Sequence, residues 1–178
     1  MHKVLFVCLG NICRSPTAHG VFESKVAASE YADDFLVDSC GTGDWHIGHS
    51  PDTRAQQAAD AEGFNISDLR ARQFSVDDLT QFNWIFAMDN NNLRDIESAR
   101  LKKSTETNKP LLFLEYAFEE LKKTDSEHWH RQYQFAQQHH FEVPDPYYGG
   151  SSGFVDVIKV IEVASELLLR KLTTVSKQ

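Results

Sequence analysis

Val4-Leu5-Phe6-Val7-Cys8-Leu9-Gly10-Asn11-Ile12-Cys13-Arg14-Ser15-Pro16 is the stretch on which the reading of this chain turns. Residues 4 to 7 form a short apolar run without polar alternation, the pattern of a strand buried on both faces. Gly10 breaks the run. Ser15-Pro16 then reads as an N-cap with proline in the first turn of a helix reaching about Ser29. Ala18, Val21, Phe22 and Val26 supply its inward stripe. A buried strand thus passes through a tight loop, Cys8 to Ser15, straight into a helix N-terminus.

Such a loop can turn successive backbone N–H groups inward as a nest for an anion, and the helix N-terminus adds partial positive charge. The amides of Leu9, Gly10, Asn11, Ile12, Cys13, Arg14 and Ser15 are the expected phosphate cradle. Gly10 permits close backbone approach, and Asn11 tolerates the left-handed conformation that holds a bowl open. Arg14 can grip two phosphate oxygens through its planar fork. The same field acts on Cys8. A free thiol has a pKa near ~8.5, and helix N-termini with nearby cations lower it to roughly 3.5 to 7.5. Cys8 is therefore expected to be a thiolate nucleophile, with Ser15 placed to donate a hydrogen bond to the sulfur.

Working outward, Phe35 to Ser39 reads as a second strand ended by Gly41 and Gly43, and Ser50-Pro51 as the start of a helix running to about Glu62, with Gly63 as its stop. Trp84 to Met88 reads as a third buried strand, and Asp89 as the cap of the helix behind it. Leu111 to Leu114 is a candidate fourth strand, and a last amphipathic helix begins near Gly153. Strands alternating with helices predict a parallel sheet with helices on both faces, whose ligands bind beyond the carboxyl ends of the strands. The segment from about 99 to 144 is charged and rich in His and Gln, and is expected to hold extra helices.

The chain has 178 residues, which fits one domain spanning 1–178. Acidic residues outnumber basic ones 26 to 18, for a formal net charge of −8. Such a surface repels a phosphate backbone, which argues against nucleic-acid binding and anionic membranes. No apolar run approaches the ~20 residues that span a bilayer. Three cysteines, Cys8, Cys13 and Cys40, are a poor framework for secreted disulfides, so a cytoplasmic setting is expected. His128, His130, His139 and His140 have no neighbouring cysteine or carboxylate spacing that completes a closed metal site, and no metal or other cofactor is expected.

Cleavage of a tyrosyl phosphate also needs an acid, because the departing phenolate has a parent pKa near ~10. Asp145-Pro146-Tyr147-Tyr148-Gly149 is the strongest source: proline stiffens the loop, and two aromatic rings stand beside the carboxyl group.

Together these motifs resemble the low-molecular-weight protein tyrosine phosphatases. Supporting matches are Asp38-Ser39, Gly48 with Pro51-Asp52 and Arg54, Ala71-Arg72-Gln73, and Met88-Asp89 with Asn92-Leu93-Arg94. The resemblance implies a flavodoxin-like three-layer α/β fold with a central four-stranded parallel sheet. It implies a protein tyrosine phosphatase that hydrolyses phosphotyrosine monoesters through a cysteinyl-phosphate intermediate, without metal. Cys8 would attack phosphorus, Arg14 would clamp the oxygens, and Asp145 would act as general acid and then base. Asn11, Ser15 and Ser39 match positions that support the loop. Ile12, Trp45, Tyr147 and Tyr148 match the walls of the substrate cleft, and Cys13 matches a second cysteine that forms a reversible disulfide with Cys8. The expected partner is a phosphotyrosine-containing protein, with this chain a monomer or weak dimer. Two features depart from the family pattern. Many members carry a histidine just before Ala-Arg-Gln, where Asp68-Leu69-Arg70 has none, so the loop-supporting network must be shorter or differently built. The spacing from Asp89 to Asp145 is also long, with the excess mostly between Glu115 and Phe141.

Three other readings compete. A thioredoxin-coupled arsenate reductase would need further cysteines for its disulfide relay, and none follows Cys40. A protein arginine phosphatase would place threonine where Ile12 stands. A non-catalytic phosphoprotein-binding module would lack the nucleophile or the acid, whereas Cys8, Arg14 and Asp145 are all present.

Overall fold

Strand β1, His2–Cys8, is the centre of the molecule: Val4, Phe6 and Cys8 are buried toward one face and Leu5 and Val7 toward the other. A strand this apolar needs cover on both sides, and the rest of the chain supplies it. The computed structural model describes residues 1–103, 107–121, 125–147 and 151–175. β1 pairs in parallel with β2, Phe35–Gly41, on one side and with β3, Trp84–Ala87, on the other. A short strand β4, Leu111–Leu112, completes the order β2-β1-β3-β4. Helices α1, Arg14–Ala27, and α7, Ser151–Val175, cover the Phe6 face together with α2, Thr53–Ala61, α5, Phe113–Phe118, and α6, Glu127–Gln138. The smaller cluster on the Leu5 face takes Leu79 from α3, Asp78–Gln81, and Ile96 from α4, Asn90–Leu101. This is the expected three-layer α/β arrangement.

Four of the boundaries that differ from the sequence reading have a physical reason in the side chains beside them. Cys13, not Ser15, occupies the N-cap of α1, and no side chain caps that helix. The Ser15 hydroxyl is committed instead to the Cys8 sulfur and the Cys40 carbonyl. α1 also stops at Ala27, short of Ser29, whose hydroxyl turns back onto the Val26 carbonyl. α2 begins at Thr53 with Asp52 as its cap, because the Asp52 amide is already donated to the Ile12 carbonyl at 2.7 Å. β4 ends at Leu112, since Phe113, Leu114, Ala117 and Phe118 bury at helical spacing and draw the chain into α5. Gly63, at φ +84°, follows the end of α2 as expected.

α6 packs onto α5 and α7. Tyr133 of α6 stands edge-on to Phe118 and to Phe141, and Arg170 of α7 lies over the Trp129 ring and pairs with Asp125. Two successive residues in the left-handed region, His140 and Phe141, reverse the chain after α6. The Val143 amide then donates to the Met88 carbonyl at 2.7 Å, beside the end of β3. That pairing carries Asp145 to the carboxyl end of the sheet.

Candidate active site

The loop leaving β1 is stitched to the end of β2. The carbonyls of Cys8 and Leu9 accept the amides of Thr42 and Gly43, each at 2.9 Å. Gly41 makes this possible: a Cβ there would lie 2.7 Å from the Leu9 carbonyl oxygen and 3.0 Å from the Asn11 nitrogen. Asn11 adopts the left-handed conformation, φ 53°, and is buried. Its side-chain oxygen accepts the Arg72 amide at 2.9 Å, which turns its NH₂ toward the hydroxyls of Ser15, at 2.9 Å, and Ser39, at 3.0 Å. Two groups then converge on the Cys8 sulfur: the Asn11 backbone N–H at 3.2 Å and the Ser15 hydroxyl at 3.0 Å. The three residues expected to support the loop, Asn11, Ser15 and Ser39, thus form one connected set.

Arg14, only 4% exposed, emerges at the first turn of α1 and is held from two sides. It pairs with Asp89 at 2.5 Å and with Asp145 at 3.2 Å. Burial works against its charge, but Cys8, Asp145 and Asp89 outweigh that cost and hold its pKa above the ordinary guanidinium value. Burial pushes the Cys13 thiol up to about 12, with Asp52 and Cys8 adding to it, and raises Cys40 well above its usual range. All three cysteines are free thiols.

A pocket of about 320 Å³ opens above the loop, lined by Cys8, Leu9, Gly10, Ile12, Cys13, Arg14, Trp45, His46, Asp145 and Tyr147. The fold therefore brings the expected nucleophile, clamp, acid and aromatic walls to one place, across the 137 residues that separate Cys8 from Asp145. Trp45 is 58% exposed and stands at the mouth. Asn11 and Ser15 lie behind the loop as braces. Tyr148 lies outside the described residues.

Four contributors carry no site role in the sequence reading. His46 lines the pocket beside Gly10; its signal was its place in the loop beyond the carboxyl end of β2. Asp89 reads from sequence as a helix cap and as part of the family match. Its Oδ1 accepts the Asn92 amide at 2.7 Å while its Oδ2 holds Arg14. Arg54 stacks over the Tyr147 ring, donates to the Tyr147 carbonyl at 3.2 Å and is anchored by Asp52, so it clamps the acid loop to α2. His19 reaches the Ser39 hydroxyl from α1 at 3.3 Å. Leu69, in the segment that lacks a histidine, packs against the apolar core. Among the described residues, no group of three or more His, Cys, Asp or Glu side chains could hold a metal ion.

The family model for low-molecular-weight phosphotyrosine protein phosphatases matches residues 3–178. This chain belongs to that family. A phosphatase of that name from Schizosaccharomyces pombe is 40% identical over 168 residues, covering 93% of this chain and 94% of its own. Among solved structures, a protein tyrosine phosphatase from Entamoeba histolytica superposes with a TM-score of 0.79 at 31% identity, covering 99% of each chain. A Drosophila arginine phosphatase superposes at 0.78 with 30% identity, covering 96% of this chain and 97% of its own. The protein is a protein tyrosine phosphatase in class. No helix among the described residues is long and apolar enough to cross a membrane.

Proposed function

We propose that this phosphatase hydrolyses phosphotyrosine in proteins by two in-line displacements at phosphorus, with Cys8 as nucleophile. The observation that carries the reading is the convergence of the Asn11 backbone N–H and the Ser15 hydroxyl on the Cys8 sulfur, beside the buried Arg14. In the first displacement the sulfur attacks phosphorus, the P–O bond to the tyrosyl oxygen breaks, and protonated Asp145 delivers its proton to that oxygen. In the second, the Asp145 carboxylate takes a proton from water, whose oxygen displaces the sulfur and releases inorganic phosphate. Arg14 and the loop amides carry the charge on the phosphoryl oxygens throughout. Ile12, Trp45 and Tyr147 offer apolar and aromatic walls suited to a phenyl ring. Ile12 provides no hydroxyl for a guanidinium, which favours phosphotyrosine over phosphoarginine. Hydrolysis of an aryl phosphate by wild type in excess chelator, abolished by Cys8→Ser, is the expected result; turnover that survives the substitution rejects the mechanism.

Cys13 shares the pocket lining with Cys8. The reading includes a protective disulfide: peroxide oxidises the Cys8 sulfur to a sulfenic acid, the Cys13 thiol attacks it, and water leaves. A dithiol should then restore the activity of peroxide-treated wild type but not of Cys13→Ser. Equal recovery of both removes the role. The compartment expected is the cytoplasm, and the partner a phosphotyrosine-containing protein.

A further inference from the structure

The loop brace ends on a residue that the reaction itself does not use. Asn11 donates both of its side-chain protons, one to Ser15 and one to Ser39. Each hydroxyl, having accepted from Asn11, keeps one proton to give away. Ser15 can give its proton to the Cys8 sulfur at 3.0 Å or to the Cys40 carbonyl at 3.2 Å. The acceptor available to Ser39 is Nδ1 of His19, at 3.3 Å. His19 sits in α1 at 7% exposure, and its Nε2 lies 3.9 Å from the Glu23 carboxylate.

We propose that His19 is a positioning residue for the phosphatase reaction: its neutral Nδ1 takes the Ser39 proton, fixes the lone pair that holds the Asn11 amide, and so keeps the Ser15 hydroxyl directed at the Cys8 sulfur. It stands in for the histidine missing before Ala71-Arg72-Gln73, and does so from a different element of the fold.

The required tautomer is the one protonated at Nε2, which the Glu23 carboxylate favours. A protonated ring reverses the arrangement, because Nδ1–H then donates to the Ser39 oxygen and leaves the hydroxyl proton without its acceptor. The surroundings guard against this near neutral pH. Burial lowers the His19 pKa; Glu23 on α1 and Asp38 on β2 oppose that shift, and Arg72 adds to it. The Arg72 charge is itself spread over Asp38 and Asp78. His19 is therefore neutral at pH 7 and charges only on acidification, which loosens the brace on the acid side of the profile.

The inference rests on Cys8 being the nucleophile, so the deciding readout is one that needs no substrate: the pH dependence of Cys8 alkylation by iodoacetamide. His19→Leu is expected to move its midpoint up by about half a pH unit and to lower kcat about five- to tenfold with KM little changed. His19→Asn, which keeps an acceptor near the Nδ1 position, should recover most of both. The loss in a His19→Leu, Ser39→Ala double variant should be no larger than in Ser39→Ala alone, since both cut one chain. Lowered thermal stability with the alkylation midpoint unmoved, or losses that add in full, would overturn the proposal. Should His19→Leu not fold, wild type alone decides: the Asn11 side-chain amide signal in ¹H–¹⁵N NMR must shift with the same midpoint as the His19 ring. An Asn11 signal indifferent to that titration refutes it.

Discussion

The two halves of the active site are built to different standards of rigidity. The Cys8-to-Ser15 loop is braced on all sides: Asn11, Arg14 and Ser15 are buried, Gly41 lets backbone lie on backbone, and the Asn11 side chain alone ties together β2, α1 and the segment at Arg72. The Asp145 loop is held more openly, by the Val143 amide on the Met88 carbonyl, Arg54 on Tyr147 and Arg14 on Asp145 itself, with the Asp145 side chain 37% exposed. The contrast fits the chemistry proposed for each. An anion cradle works by having its dipoles fixed before the charge arrives. A group that must give up a proton and then take one from water has to stay accessible to solvent.

Substitutions can test that division, and the largest effect belongs to the exposed loop. Asp145→Asn keeps the shape and removes the proton, and should lower kcat for phosphotyrosine by about 10²- to 10⁴-fold while leaving Cys8 alkylation unchanged. The loss should shrink for an aryl phosphate with an acidic phenol, and an equal loss on both esters would remove Asp145 as the acid. Next comes Asn11→Ala, which unbraces the cradle. It leaves buried hydroxyls short of a donor and puts alanine at a positive φ, so about 2 to 4 kcal/mol of unfolding free energy should go, together with slower alkylation of Cys8. Denaturant melts and the alkylation rate check this; a stable variant with normal alkylation would show that the brace is unnecessary. Arg54→Ala should have the smallest effect, a three- to tenfold fall in kcat with stability and alkylation held. If alkylation falls as well, the two loops are not independent.

Much of this was readable from the chain because its signals are local. The unbroken apolar run Val4 to Val7, Gly10 and Asn11 in the turn, and Ser15-Pro16 at the helix start specify strand, bowl and helix within a single window. The left-handed Asn11 could be anticipated from its short amide side chain. What was missed depends on distance. Ser15 looks like a cap in sequence, yet its hydroxyl is claimed by Cys8 and Cys40, a bond that appears only once β1 and β2 pair. Leu111 to Leu114 looks like a strand because apolar runs do not reveal whether their partner is a sheet or a helix. Asp89 reads as a cap and is one; that its other oxygen steadies Arg14 requires the parallel order of β1 and β3. His19 carried no signal, being one inward position among several on an ordinary amphipathic helix.

The long excursion between Phe113 and Val143 has a consequence for how such enzymes diversify. α6 buries a single residue, Ala136, and the left-handed pair His140 and Phe141 returns the chain before Val143 locks onto Met88. The lock decouples what lies upstream from what lies downstream. Turns can be added to or trimmed from the outlying helix, and its surface recast for new neighbours, while the distance from the pinned valine to Asp145 stays two residues. The molecule can therefore vary its periphery without retuning its chemistry.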